Sequence, residues 1–371
     1  MNIYFDNAAT TKVDDKVLNE MMPYYNILYG NPSSNNSCGR AIKDAIEGAR
    51  LELSQNLNCT PNEIIFTSGA TEGNNLIIKS CEELCSEMGE PCHFIFSEIE
   101  HKSILNLQEY LEKRGHEVDL ISVLPNGVVD LNNLENLLKD NTVLISCIYV
   151  NNETGMIQPI YEISKICQEH DILFHTDATQ AFGKLKIDLN DLKVDFLSLS
   201  AHKLHGPKGI GAIYKNNDVD LSCQMLGGSQ ENGYRSGTEN VPGIIGLGEA
   251  ARIANKNMNK NYSYLLGLEK YFLKKLDSCG HEYILNGDLC CKAPWIFNIA
   301  FLDFDSDTII EKLGNFCLSK SSACSKGNAP SYVLKAMSID EDLINKSIRI
   351  SFSKYTTFEQ IDIFCKELNR I

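Results

Sequence analysis

The stretch Ser198-Leu-Ser-Ala-His-Lys203-Leu-His-Gly-Pro-Lys-Gly209 decides how the rest of the chain is read. It overlaps an apolar run, residues 194–199, with the length and composition of a buried strand. It ends in glycine and proline, which stop any following helix. A lysine is therefore held at the end of a strand, beside Ser200 and His202. An amine partly withdrawn from water at such a place can form a Schiff base with an aldehyde. Taken alone it reads more readily as a solvated loop lysine, the commoner fate of lysines near turns, so its neighbours along the chain decide.

Working outward, one grammar of apolar strand, polar cluster and helix recurs from residue 63. Glu63-Ile-Ile-Phe-Thr-Ser-Gly69 runs into Ala70-Thr71-Glu72 and a helix extending to about Met88. Residues 92–97 run into Glu98-Ile-Glu-His101-Lys-Ser103, and residues 143–150 into Asn151-Asn152-Glu-Thr-Gly155. Residues 172–176 run into Asp177-Ala-Thr-Gln180. Strands alternating with helices of this length predict an α/β fold with a mostly parallel sheet covered by helices. In such sheets ligands bind beyond the carboxyl ends of the strands. Those ends carry Ala70 and Thr71 at a helix start suited to a phosphate, His101, Asn152, Asp177 with Gln180, and Lys203. Asp177 alone also reads as a helix cap, and His101 alone as a polar residue in a turn. Five polar ends on five successive strands make a site.

Upstream, Asp6-Asn-Ala-Ala-Thr-Thr11 is a polar turn before an expected helix over 14–25, with Val17, Leu18, Met21 and Met22 on its apolar side. Residues 40–57 have the rhythm of an amphipathic helix. Downstream, residues 241–279 read as largely helical and bridge to a smaller α+β domain, with strands over 295–303 and 347–353. The expected division is a large domain over 13–255 and a small domain made of 1–12 and 256–371.

A chain of 371 residues, 43% hydrophobic, can bury a large core. Its net charge of -15 and pI near 5.0 argue against nucleic-acid binding as its main business. No stretch approaches the roughly 18 apolar residues of a membrane span, and the N-terminus lacks the basic and apolar regions of a signal peptide, so a cytoplasmic location is expected. Fourteen cysteines without a C-x-x-C read as reduced thiols, and no metal site is expected. Cys81 and Cys85 share a helical face with Ile77, Leu84 and Met88, whereas Cys324 sits in Ser319-Lys-Ser-Ser-Ala-Cys324-Ser-Lys-Gly327, a small, polar and basic setting that reads as an exposed loop.

Pyridoxal phosphate needs a lysine for its aldehyde, a carboxylate for its pyridinium nitrogen, a helix N-terminus with hydroxyls for its phosphate and a flat partner for its ring. Lys203, Asp177, Thr71 with Ser200, and His101 supply these in turn.

With these residues the chain resembles cysteine desulfurases of the NifS/IscS type, among the fold-type I, class-V aminotransferase-like enzymes that use pyridoxal 5'-phosphate. The resemblance runs through Asn7-Ala-Ala-Thr-Thr11, Thr67-Ser-Gly-Ala-Thr-Glu72, Glu100-His-Lys102, Asn151-Asn-Glu-Thr-Gly155, Asp177-Ala-Thr-Gln180, Ser200-Ala-His-Lys203, Gly206-Pro-Lys-Gly209, Arg235-Ser-Gly-Thr238, Ser322-Ala-Cys324 and Ser347-Ile-Arg349. It implies that Lys203 holds the cofactor as a Schiff base and moves protons, Asp177 pairs with the pyridinium nitrogen, and His101 stacks on the ring and assists acid-base steps. Gln180 and Asn152 would contact the ring hydroxyl or the substrate. Ala70, Thr71, Ser200 and His202 would hold the phosphate, with Thr238 reaching it from the neighbouring subunit of a homodimer. Arg349 would clamp the carboxylate of L-cysteine, and Cys324 would take its sulfur as a persulfide, leaving alanine. The sulfur would pass to an acceptor protein of iron-sulfur cluster assembly or tRNA thiolation. Serines stand before Cys324 where the family commonly has a glycine, the loop after it is about a residue shorter, and the chain ends at Ile371 without the longer tail of some relatives; these departures leave the acceptor open. Other readings are a selenocysteine lyase, a related aminotransferase-fold enzyme, a catalytically silent scaffold and a nucleic-acid-binding module.

Overall fold

The computed structural model describes residues 2–320 and 330–371; the candidate sulfur acceptor Cys324 lies outside the described residues. The chain runs through β1 (Ile3–Tyr4), α1 (Asp15–Met21), α2 (Pro23–Asn26), α3 (Ser37–Leu57), β2 (Ile64–Thr67), α4 (Ala70–Met88), β3 (His93–Ser97), α5 (Lys102–Leu105), α6 (Gln108–Glu112), β4 (Glu117–Ile121), α7 (Leu131–Leu137), β5 (Thr142–Ser146), α8 (Ile160–Glu169), β6 (Leu173–Asp177) and β7 (Phe196–Ser200). It continues through β8 (Gly211–Lys215), α9 (Val241–Leu276), β9 (Tyr283–Leu285), β10 (Ile296–Phe301), α10 (Ser306–Lys312), β11 (Phe316–Cys317), α11 (Tyr332–Ala336), α12 (Glu341–Asn345), β12 (Ser347–Ser351) and α13 (Phe358–Leu368).

Seven strands form the central sheet in the order β2-β8-β7-β6-β5-β3-β4. All run parallel except β8, which is antiparallel to both of its neighbours. The inner strands are buried almost throughout because helices cover both faces. β4 lies at the edge, and its sequence Glu-Val-Asp-Leu-Ile leaves it largely half-buried. The reversed β8 begins beside the carboxyl ends of both β2 and β7, since Gly211 pairs with Thr67 and with Ser200. A side chain at 211 has no room: its Cβ would stand 2.7 Å from the Gly69 Cα. The start of α4 and the Lys203 turn are thereby drawn to one end of the sheet.

On one face α3 packs against α9, buried through Ile42, Ile46, Ala49 and Leu53. Gly248 permits the close approach, because a Cβ there would stand 2.6 Å from that of Ala49. At 36 residues α9 is about 54 Å long. It runs without interruption through residue 255. Near its far end, Phe272 packs edge-on against Phe297, Phe352 and Phe364. There β12-β10-β9 form an antiparallel sheet. The N-terminal residues join this part of the molecule, since β1 pairs with β11 and Asp6 bridges to Ser351.

The expected helix over 14–25 is two helices. Pro23 has no N–H to give to the turn before it, and α1 ends ahead of it. Val17 and Met21 are buried, whereas Leu18 and Met22, expected on the same apolar side, are exposed. Among the described residues, no helix is long and apolar enough to cross a membrane.

Candidate active site

A cavity of about 490 Å³ lies at the carboxyl ends of β2, β3, β5, β6 and β7. Ala70, Thr71, His101, Asn152, Asp177, Gln180, Ser200, His202, Lys203 and Arg349 all line it. Thr238 does not; it is exposed on this chain.

Asp177, at the end of β6, is nearly fully buried and accepts two hydrogen bonds. Thr179 N–H donates to Oδ1 at 2.9 Å, and the Asn74 side-chain amide donates to Oδ2 at 2.9 Å. The same amide nitrogen of Asn74 donates to Ser103 Oγ at 2.9 Å. Ser103 N–H donates to His101 Nδ1 at 3.1 Å, so the proton of the neutral ring sits on Nε2. Burial, together with the charges of Lys203 and Lys102, holds His101 below the ordinary imidazole value, against the pull of Asp177. Beneath Asp177, burial pushes His175 down to about 4. Behind His101, burial and then the charge of Asp177 push Glu100 well above the usual carboxylate range.

Lys203 stands in a 3-10 turn, Ala201–Lys203, directly after β7. Its Nζ donates to the carbonyls of Ala8 at 2.5 Å and Ala9 at 2.7 Å. Gln180 Nε2 donates to the same Ala8 carbonyl at 2.9 Å. His202, one residue before the lysine, is pushed down to about 3 by burial and by Lys203, Lys208 and Lys184. At the other end of the cavity Arg349, on β12, is 1% exposed. Its Nη1 donates to the Asn152 carbonyl at 2.9 Å, and its Nη2 pairs with Asp6 at 2.7 Å. Three polar atoms of lining residues are buried without a hydrogen-bond partner among the described residues: Asn152 Oδ1, Thr179 Oγ1 and Arg349 Nε. Leaving such atoms unmatched costs about 1–3 kcal/mol each, which marks the cavity as built to receive a polar group.

The described residues on either side of 321–329 are anchored to site residues or their neighbours. On one side Ser319 bridges to Arg349, with Arg349 N–H donating to the Ser319 carbonyl at 2.6 Å. On the other, Ser331 Oγ donates to Glu153 at 2.6 Å, and the Tyr332 hydroxyl donates to the Glu100 carbonyl at 2.6 Å. Each anchor is a site residue or its immediate neighbour.

Residues 3–364 match the family model described as aminotransferase class-V. The chain is 42% identical to the cysteine desulfurase IscS of Neisseria gonorrhoeae, over 99% of its own length and 91% of that protein's. Its fold superposes on a NifS-like protein with a TM-score of 0.93 at 36% identity, covering 100% of this chain and 99% of the other. It superposes on SspA in complex with cysteine with a TM-score of 0.86 at 36% identity, covering 96% and 100%.

The chain belongs to the class-V aminotransferase family.

Class-V aminotransferases are pyridoxal-phosphate enzymes of fold-type I, and this member is one of them. The donor set of the cavity fits the cofactor. A carboxylate that accepts two hydrogen bonds, an amine at a strand end, the start of a 19-residue helix and an unpaired amide oxygen face one space. In α4 the first intrahelical bond is made by Gly73 N–H, so the preceding N–H groups are available to an anion.

Sequence reasoning missed Asn74, which ties Asp177 to the His101 turn, and gave no separate role to Asp6, which holds Arg349. Asn74 carried a signal: it is a buried polar residue in a helix whose following positions, Leu76, Ile77 and Ile78, are apolar and buried. Asp6 lies 343 residues from Arg349, and nothing local announces that pair.

Proposed function

We propose that this chain carries out the reaction for which its relatives are named, removal of sulfur from L-cysteine to leave L-alanine, with the sulfur taken up by Cys324. The observation that carries this reading is where the described residues flanking Cys324 in sequence are anchored: Ser319 at Arg349 on one side, and Ser331 and Tyr332 at Glu153 and Glu100 on the other. Five residues of fully extended chain separate Ser319 from Cys324, at most about 18 Å. A thiol in that segment is tethered to the strand that carries Arg349.

Arg349 binds the substrate carboxylate through its unpaired Nε and its remaining N–H groups, and Asp6 and the Asn152 carbonyl fix the plane of the fork. Ala70 and Thr71 with Ser200 and His202 would hold the phosphate, Asp177 would pair with the ring nitrogen, and Gln180 and Asn152 would contact the ring hydroxyl or the substrate. Bound pyridoxal phosphate supplies an electron sink that weakens the bonds of the substrate's alpha carbon. Lys203 would bear the cofactor and carry the alpha proton, while His101, whose Nδ1 accepts from Ser103 N–H and leaves Nε2 to hold the proton, would exchange protons with the substrate. The Cys324 thiolate attacks the substrate sulfur. The carbon–sulfur bond breaks, its electron pair stays with carbon to be protonated, and the new sulfur–sulfur bond leaves a persulfide on Cys324.

The working unit is a homodimer, in which Thr238 of one chain reaches the phosphate of the other. Two observations favour it: Thr238 is exposed outside this chain's cavity, and Leu18, Met22, Tyr25, Ile27, Leu28 and Tyr29 leave apolar surface uncovered on the single chain. The enzyme works in the cytoplasm, and its sulfur passes to an acceptor protein of iron-sulfur cluster assembly or tRNA thiolation.

The test is release of alanine and sulfide from L-cysteine, with and without a thiol reductant, by the wild type and Cys324→Ala. Equal amounts from the wild type and neither from the variant are expected. Sulfide release by Cys324→Ala at the wild-type rate overturns the persulfide role and favours a lyase that expels sulfur directly.

A further inference from the structure

Lys203 borders a second, smaller cavity of about 50 Å³, shared with Lys184 and closed by Tyr262 and Leu265 of α9 and by Trp295. Lys184 follows the β6 strand end by seven residues, and the roles drawn from the resemblance leave it unused. Its Nζ donates to Gln180 Oε1 at 3.1 Å. Gln180 in turn donates to the Ala8 carbonyl, the same oxygen that accepts from Lys203 Nζ. One side chain and one carbonyl therefore connect the two amines. The Trp295 ring lies beneath Lys184, 5.4 Å from Nζ to the ring centroid. No described carboxylate pairs with Lys184, and burial together with the charge of Lys203 pushes it down to about 7. Two cations held close in a desolvated place each favour loss of the other's proton.

We infer that Lys184 is a positioning residue for Lys203: through Gln180 it fixes the Lys203 nitrogen at the Ala8 carbonyl, and its charge favours the unprotonated, reactive form of that nitrogen. The inference rests on Lys203 being the residue that bears the cofactor.

The other ionisable groups facing the pair leave this coupling legible near neutral pH. His202 and His205, which both feel Lys184, are pushed down by burial to about 3 and about 4, so both stay neutral. Lys354 is paired with Asp14 at 2.6 Å. Asn261 and Tyr262 of α9 bring neither amine nor carboxylate. On the other side of Lys203, Asp177, His101 and Lys208 belong to the main cavity, and Lys184 is not among the groups that shift His101.

The test is a pH titration of the visible absorbance of the full-length holoenzyme, which reads the proton on the lysine-bound chromophore without turnover. Removing a neighbouring cation favours the protonated form. The midpoint of Lys184→Met is therefore expected above that of the wild type by about one pH unit, a tenfold change in proton affinity. Lys184→Arg, permanently charged, is expected at or below the wild type. Should Lys184→Met fail to fold, Lys184→Gln removes the charge, keeps a donor for Gln180 and carries the same expectation. A charge-removing variant whose midpoint lies at or below the wild-type value overturns the inference. So does a uniform loss of absorbance at all pH values with an unmoved midpoint, which is the mark of a packing role alone. A wild type without any lysine-bound chromophore overturns both this inference and the reading of Lys203.

Discussion

The central sheet carries a polar cavity at each end, and the two differ in how their polar atoms are satisfied. The one at the carboxyl ends of the strands, of about 490 Å³, contains three buried atoms without partners among the described residues and the Lys203 amine held against two carbonyls. The other, of about 590 Å³, opens where β2 and β7 begin and is lined by Glu63, Lys193, Asp195, Asn216 and Asp218. It is as large and as polar, but its groups are matched. Asp195 accepts from Phe174 N–H at 2.9 Å and from the Asn216 amide at 3.3 Å, and none of its lining residues has a buried unpartnered side-chain atom. Size and polarity do not make a site; unmet hydrogen-bonding capacity at a buried place does.

That contrast breaks most easily at the two ends themselves. Lys203→Ala is expected to lower alanine production from L-cysteine by about 10³-fold or more, as loss of a covalent catalytic group does. Asp195→Asn, at the opposite end, is expected to leave turnover within about twofold. Comparable losses from the two substitutions, in a side-by-side assay on folded protein, would erase the distinction.

Within the cavity, Arg349→Lys sharpens it. A lysine cannot reproduce the fork that reaches Asp6, Asn152 and a carboxylate together, so the KM for L-cysteine is expected to rise about 10²-fold with a smaller fall in kcat. A kcat that falls as far while KM stays put would move Arg349 out of carboxylate binding.

The smallest effect concerns pH. His101 is held below the ordinary imidazole value of about 6.5. A group whose pKa is lowered stays neutral down to lower pH, so the acid limb of kcat/KM that belongs to His101 is expected below that value. In His101→Gln that limb is expected to vanish while the alkaline limb stays. A limb at or above 6.5 that disappears with His101 contradicts the burial argument.

The alternation of strand and helix was legible because short segments rich in apolar residues recur between helical ones, and His101, Asn152, Asp177 and Lys203 all lie just beyond or at the ends of those segments. The edge strand β4 was not, since Glu117 and Asp119 interrupt its apolar pattern. Nor was β8, which runs antiparallel to both of its neighbours. The residues that tune the site were hidden for a common reason. Asp6, Asn74 and Lys184 act across the fold, and a lysine after Gly183 reads as a surface turn until Trp295, more than a hundred residues away, is brought beside it.

The claim at the centre of this account is that Lys203, at the end of β7, bears the cofactor. Reducing the holoenzyme with borohydride fixes the cofactor to its lysine, and mapping the labelled peptide by mass identifies the residue. The account predicts a single label on Lys203; a label on Lys184 or on any other lysine would contradict it.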